Sequence, residues 1–113
     1  MIRALVFGAT GYTGIELVRI LSNHPRVTVV GGSSRNWAGK SAVEVFHFMP
    51  SQRDFVLQDM EGLIADADAD VAFLALPHGG AAVAARPLLE KGLKVVDLSA
   101  DCRLSDVEVY RQW

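Results

Sequence analysis

The chain has 113 residues, half of them hydrophobic, and its 11 Lys and Arg against 13 Asp and Glu leave a formal charge of −2. That suffices for one domain around one core. It argues against a nucleic-acid surface, since the cations are scattered and outnumbered, and against a membrane span, since no apolar run approaches the roughly 20 residues a bilayer requires. One cysteine makes no internal disulfide, and no Cys/His cluster has zinc spacing. A strand pattern begins at once, so no secretory signal and a cytoplasmic location are expected.

Ile2-Arg3-Ala4-Leu5-Val6-Phe7 is short, mostly apolar and partly β-branched, and reads as a buried parallel strand. Gly8-Ala9-Thr10-Gly11-Tyr12-Thr13-Gly14 follows, and residues 15–21 read as a helix. Glycines at a strand-to-helix turn let the backbone bend tightly and let a pyrophosphate approach. The first N–H groups of the helix face the anion, with the helix dipole behind them. The spacing is Gly-x-x-Gly-x-x-Gly, not the commoner Gly-x-Gly-x-x-Gly. Any α/β protein could use such glycines for a tight turn alone. Their place behind a strand and ahead of a helix favours nucleotide binding.

Asn23-His24-Pro25 stops the helix, and His24 there is a dipole partner or cap. Residues 27–32 read as a second strand, and residues 33–40 as a polar loop at its end. Residues 42–53 fit neither period, and Pro50 ends whatever forms there. Phe55-Val56-Leu57 is a short strand candidate, and Asp59 caps a brief helix through Leu63 and Ile64. Asp66, Asp68 and Asp70 alternate with alanines. They lack the glycine and distal glutamate of a calcium loop, so a solvated acidic turn is the better reading and no metal site is assigned. Residues 71–76 form an apolar run and read as a central buried strand. Pro77-His78-Gly79-Gly80 leads into a helix over 81–91, which Pro87 breaks or restarts and Gly92 ends. Residues 94–98 read as another strand. Ser105-x-x-Glu108 looks like a capping box opening a helix with Val107, Tyr110 and Trp113 on one face. That helix has no stop signal, so the chain is expected to be the N-terminal part of a longer protein.

The alternation β-α-β-loop-β-α-β-α-β-loop-α predicts an α/β, Rossmann-like, doubly wound parallel sheet, one NADP(H)-binding domain over residues 1–113. Ligands of such sheets bind at the carboxyl ends of the strands, here residues 8–14, 33–40, 77–80 and 99–104. An NAD enzyme usually places an acid about 20 residues after the glycines to hold the ribose. No acid stands between Glu16 and Glu44. Ser33, Ser34 and Arg35 stand there instead. Two hydroxyls and a guanidinium fork suit the 2′-phosphate of NADP(H), whereas Arg35 on its own could be a plain loop residue. The cofactor contacts expected are Gly8, Thr10, Gly11, Tyr12, Thr13, Gly14, Ser33, Ser34, Arg35, Leu76, Pro77, His78 and Gly79. His78 faces the cofactor or caps the next helix, with no partner to make it a catalyst. Arg103 either offers a planar cation to a substrate phosphate or pairs with Asp97 or Asp101. Cys102 has no histidine near it in sequence and three aspartates around it, which oppose a thiolate, so it is read as inert.

Taken together, Gly8–Gly14, Glu16-Leu17-Val18-Arg19, Ala38-Gly39-Lys40, Phe73-Leu74-Ala75-Leu76-Pro77-His78-Gly79 and Asp97-Leu98-Ser99-Ala100-Asp101 resemble the semialdehyde dehydrogenase family, and within it the N-terminal domain of the N-acetyl-γ-glutamyl-phosphate reductases of arginine biosynthesis. The resemblance spans essentially the whole chain. It implies a two-domain, homo-oligomeric enzyme acting on a small-molecule acyl phosphate. In this chemistry a cysteine attacks the acyl phosphate, phosphate leaves, and NADPH reduces the thioester to a semialdehyde. The family's Asn-Pro-Gly-Cys motif and histidine base do not occur in these residues, so no catalytic residue is assigned here and the isolated chain is expected to be inactive. Cys102 stands where the family has phenylalanine, and Trp37 where it has tyrosine. The position of Arg103 resembles that of the arginine that binds substrate phosphate in aspartate-semialdehyde dehydrogenases, and the resemblance implies that Arg103, with Ser99, holds the substrate phosphate. A lysine-biosynthesis reductase of carrier-linked aminoadipyl phosphate shares the pattern. Two other classes stay open. A short-chain dehydrogenase would need a Tyr-x-x-x-Lys that is absent, and a non-enzymatic NADP(H)-sensing module would need a complete chain ending near residue 113.

Overall fold

The computed structural model describes residues 1–76 and 80–98. Strands β1 (Ile2–Phe7), β2 (Val27–Gly32), β3 (Val71–Leu74) and β4 (Lys94–Asp97) form one sheet in the order β2-β1-β3-β4, and every pair is parallel. Between them in sequence lie helices α1 (Tyr12–Ser22), α2 (Ala42–Val45), α3 (Met60–Ala65) and α4 (Gly80–Glu90), with a 3-10 turn at Ser51–Arg53.

Successive side chains of a strand point to opposite faces, and β1 uses both. Ala4 and Val6 pack in a cluster with Val18 and Leu21 of α1 and with Phe46, Met49 and Leu57. Leu5 and Phe7 pack with Leu63 of α3 and with Ala84 and Leu88 of α4. Burial on both faces explains why β1 is apolar without alternation from Ala4 to Phe7, while Ile2 and Arg3 at its start are exposed. The layered, doubly wound sheet is therefore the one expected, with β3 inside it between β1 and β4.

The two long helices each bury one stripe: Gly14, Val18 and Leu21 on α1, and Ala81, Ala84 and Leu88 on α4, spacings that recur on one helical face. The Glu16-Leu17-Val18-Arg19 stretch divides accordingly. Val18 is buried, and Arg19 pairs with Glu16 on the outside. The hydrogen bond from Arg19, and then its charge, hold the Glu16 carboxyl below its ordinary range. An exposed pair of this kind adds little to stability.

Four expectations change. Helix α1 begins at Tyr12, so Thr13 and Gly14 belong to its first turn. Pro87 lies inside a continuous α4; the carbonyl it leaves unbonded belongs to Val83, which is 61% exposed, so no buried acceptor is stranded. Residues 55–57 make no strand of the sheet. Val56 bridges Ser41 and Gln58 bridges Ser33 as isolated contacts. The ambiguous stretch 42–53 holds α2, capped by Ser41, whose hydroxyl accepts from the Glu44 N–H and donates to the Glu44 carboxylate. Gly92 ends α4 as expected. At φ +89, it lets its own N–H reach the Leu89 carbonyl and the Leu93 N–H reach that of Leu88, the paired bonds of a Schellman cap. The helix expected over residues 105–113 lies outside the described residues.

The acidic turn ties down neighbouring strands: Asp70 accepts from the Arg3 N–H at 2.8 Å, and Asp68 pairs with the Arg3 guanidinium at 3.5 Å. His24 accepts from the Arg26 N–H in the turn before β2. Among the described residues, no helix is long and apolar enough to cross a membrane, and no three His, Cys, Asp or Glu side chains cluster to hold a metal.

Asp59 caps α3 as expected, accepting from the Gly62 N–H at 2.7 Å. Asp59→Ala is expected to lower stability by about 1 kcal/mol, while Asp59→Asn, also a good cap, stays near the parent. Urea unfolding of the two variants checks this, and equal losses in both would assign the effect to the charge.

Candidate functional site

From β1 the chain passes to β2 on one side, then crosses to β3 on the other. A crevice opens at such a switch point, outside the carboxyl ends of the strands. Here it measures about 700 Å³. Gly8, Thr10 and Gly11 enter it after β1, and Ser33, Ser34 and Arg35 after β2. Ala75, Leu76 and Gly80 enter between β3 and α4, and Asp59, Met60 and Glu61 at the start of α3.

Two glycines are required by packing. Gly8 has φ +77, and a Cβ there would overlap the Ala75 carbonyl, 2.9 Å from its carbon. A Cβ on Gly14 would overlap the Gly8 carbonyl oxygen and lie 2.8 Å from its carbon. So α1 starts pressed against the turn. Gly11 differs: a Cβ there meets only the Gly8 oxygen, at 3.7 Å, and space is left for a ligand. Gly11 is also the N-cap, no side chain caps this end, and no acid stands in the first turn. Among the described residues the N–H groups of that turn are therefore without a side-chain acceptor, in an 11-residue helix whose dipole favours an anion there.

The end of β2 is bolted onto this turn. The Ser33 N–H donates to the Val6 carbonyl, and the Ser33 carbonyl accepts from the Ala9 N–H. The Ser33 hydroxyl accepts from the Gly8 N–H at 2.8 Å. The Ser34 hydroxyl lies 2.8 Å from that of Thr10 and accepts from the Trp37 N–H at 3.1 Å. Both serines are buried, 3% and 4% exposed. The fold thus engages both hydroxyls as acceptors with the glycine turn and their own loop, at positions that also line the crevice. Arg35 is exposed on the crevice wall, and among the described residues no carboxylate pairs with it.

Of the other expected contacts, Leu76 lines the crevice. Tyr12 is 96% exposed, Thr13 is exposed and Gly14 is buried, so these three border the site through the backbone of the first turn of α1. Pro77, His78, Gly79, Ser99, Cys102 and Arg103 lie outside the described residues. Asp59, Met60 and Glu61 were not foreseen as part of the site. Along the chain no acid stands between Glu16 and Glu44. The crossover brings two acids to the same crevice from a different element.

Residues 3–111 match the family model described as semialdehyde dehydrogenase, NAD binding domain. The whole chain is 42% identical to the N-acetyl-gamma-glutamyl-phosphate reductase of Thermoanaerobacter pseudethanolicus, of which it covers 33%, and 46% identical to that of Heliobacterium modesticaldum, of which it covers 32%. The chain thus spans about a third of the length of the curated relatives it matches. The solved aspartate semialdehyde dehydrogenase of Candida albicans, a structure with NADP, superposes with a TM-score of 0.72 at 26% identity, over 91% of this chain and 31% of that one.

Proposed function

The chain belongs to the semialdehyde dehydrogenase family as its nucleotide-binding domain, and from that premise we propose that it holds NADP(H) for the reduction of N-acetyl-γ-glutamyl phosphate to N-acetylglutamate semialdehyde. The observation that carries this reading is one crevice holding both an uncapped helix start over an open Gly11 and the exposed Arg35. Its volume lies within the range of small-molecule sites. The names of the curated relatives support the glutamyl substrate over a carrier-linked aminoadipyl one.

In this proposal the first-turn N–H groups of α1, beginning at Tyr12, Thr13 and Gly14, hold the pyrophosphate. Arg35 takes the 2′-phosphate through paired charge-assisted hydrogen bonds. Leu76, with Pro77, His78 and Gly79, flanks the cofactor. Bound NADPH supplies the hydride. Ser99 and Arg103 take the substrate phosphate, and the nucleophilic cysteine and the histidine base come from outside residues 1–113.

The test is turnover by the full-length protein. NADPH consumption is followed with N-acetyl-γ-glutamyl phosphate and, separately, with carrier-linked aminoadipyl phosphate. Turnover with the first alone supports the proposal, and turnover with the second alone replaces the substrate. Arg103→Lys keeps the charge but loses the fork, so kcat/KM is expected to fall roughly ten- to hundredfold with NADPH affinity and thermal stability near the parent. Cys102→Ser is expected to leave turnover intact. An acyl adduct found by mass on Cys102 would overturn its inert assignment.

A further inference from the structure

Ser34 is buried, and among the described residues its hydroxyl has two partners. It accepts from the Trp37 N–H at 3.1 Å and lies 2.8 Å from the Thr10 oxygen. Its own hydrogen needs an acceptor, because a buried O–H without one is costly. Among the described residues the Thr10 oxygen is the acceptor available. Either oxygen could donate at that distance, and donation from Ser34 to Thr10 gives the Ser34 hydrogen an acceptor within the protein. The hydrogen of Thr10 is then turned away from Ser34, and Thr10 lines the crevice beside Gly11. With the opposite polarity the Ser34 hydroxyl, which also lines the crevice, would itself be the donor left for a ligand.

Resting on the dinucleotide reading above, we propose that Ser34 is a positioning residue: it orients the Thr10 hydroxyl as a hydrogen-bond donor to a phosphate oxygen of the cofactor. The chain of donors starts at the Trp37 N–H, so it also links the loop that carries Arg35 to the glycine turn. Two groups on the cofactor share this chemistry, the pyrophosphate and the 2′-phosphate. A hydroxyl oriented before the ligand arrives does not have to be ordered on binding, which is where its contribution to affinity lies.

The experiment uses the full-length protein and its Ser34→Ala, Thr10→Val, Thr10→Ser and Ser34→Ala/Thr10→Val variants, titrated with NADPH and with NADH beside thermal melts. Thr10→Val is expected to weaken NADPH roughly tenfold and Ser34→Ala roughly three- to tenfold. The double variant should be no weaker than Thr10→Val alone, since Ser34 acts through Thr10. Thr10→Ser keeps the hydroxyl and should bind as the parent does. Equal losses for NADPH and NADH assign the contact to the pyrophosphate, and a loss confined to NADPH assigns it to the 2′-phosphate. Parent-like affinity in Thr10→Val, additive losses in the double variant, or losses that simply follow melting temperature overturn the proposal while the dinucleotide reading stands. A parent that binds neither nucleotide overturns both.

Discussion

Gly14→Ala is expected to destabilise the protein by about 3 kcal/mol, the upper part of the range for overpacking, and to remove measurable dinucleotide binding. The added methyl meets backbone and not a movable side chain: the Gly8 carbonyl, with Ala9 carbonyl carbon at 2.9 Å. Relief requires α1 to withdraw from the turn, and its first N–H groups withdraw with it. Gly11→Ala separates packing from binding. Its methyl has room, and Gly11 already sits at φ −77, ψ 171, a conformation alanine adopts freely. Its melting temperature should stay near the parent, while NADPH affinity falls roughly tenfold or more because the methyl holds a pyrophosphate off the helix N-terminus. Thermal melts and cofactor titration of the two variants check this. If Gly11→Ala binds NADPH as tightly as the parent, the cofactor does not approach across Gly11.

Arg35→Ala is expected to weaken NADPH roughly ten- to hundredfold and to leave NADH nearly unchanged, since hydrogen bonds to a charged phosphate contribute about 1.5–3 kcal/mol. Arg35 has no competing carboxylate partner among the described residues, so its fork is available to a ligand. Asp59 and Glu61 enter the same crevice and act in the opposite direction on a 2′-phosphate. Asp59→Asn removes one charge and keeps the α3 cap, so NADPH should bind about two- to fivefold more tightly, with the gain shrinking as salt rises. Paired titrations with NADPH and NADH at two salt concentrations decide the matter. Equal affinities in the parent, or an unchanged preference in Arg35→Ala, would remove Arg35 from the 2′-phosphate.

Ser41-Ala-Val-Glu44 carries the sequence of a capping box, and the Ser41 hydroxyl caps α2, but a helix of four residues is too short to show a period over 42–53. Conversely, Pro87 carries a strong local signal that the tertiary setting overrides: the α4 face holding Ala81, Ala84 and Leu88 packs on the sheet, and the acceptor lost at Val83 is on the solvent side.

The sequence by itself determined the layered parallel sheet, the glycine turn at the mouth of its switch point and the caps at Asp59 and Gly92. These follow from local patterns, since the stretch of a strand buried on both faces is apolar without alternation, as in Ala4–Phe7, and a left-handed helix end favours glycine. Only the tertiary structure decided what the polar side chains do. Ser33 and Gly8 are 25 residues apart and Ser34 and Thr10 are 24 apart. Their pairing depends on the register of β2 on β1, which slips between Ala4 and Leu5. Asp59 and Glu61 reach Arg35's crevice only because the chain crosses the sheet before α3. A hydrogen bond depends on a separation of a few ångströms through space, and spacing along the chain does not encode it.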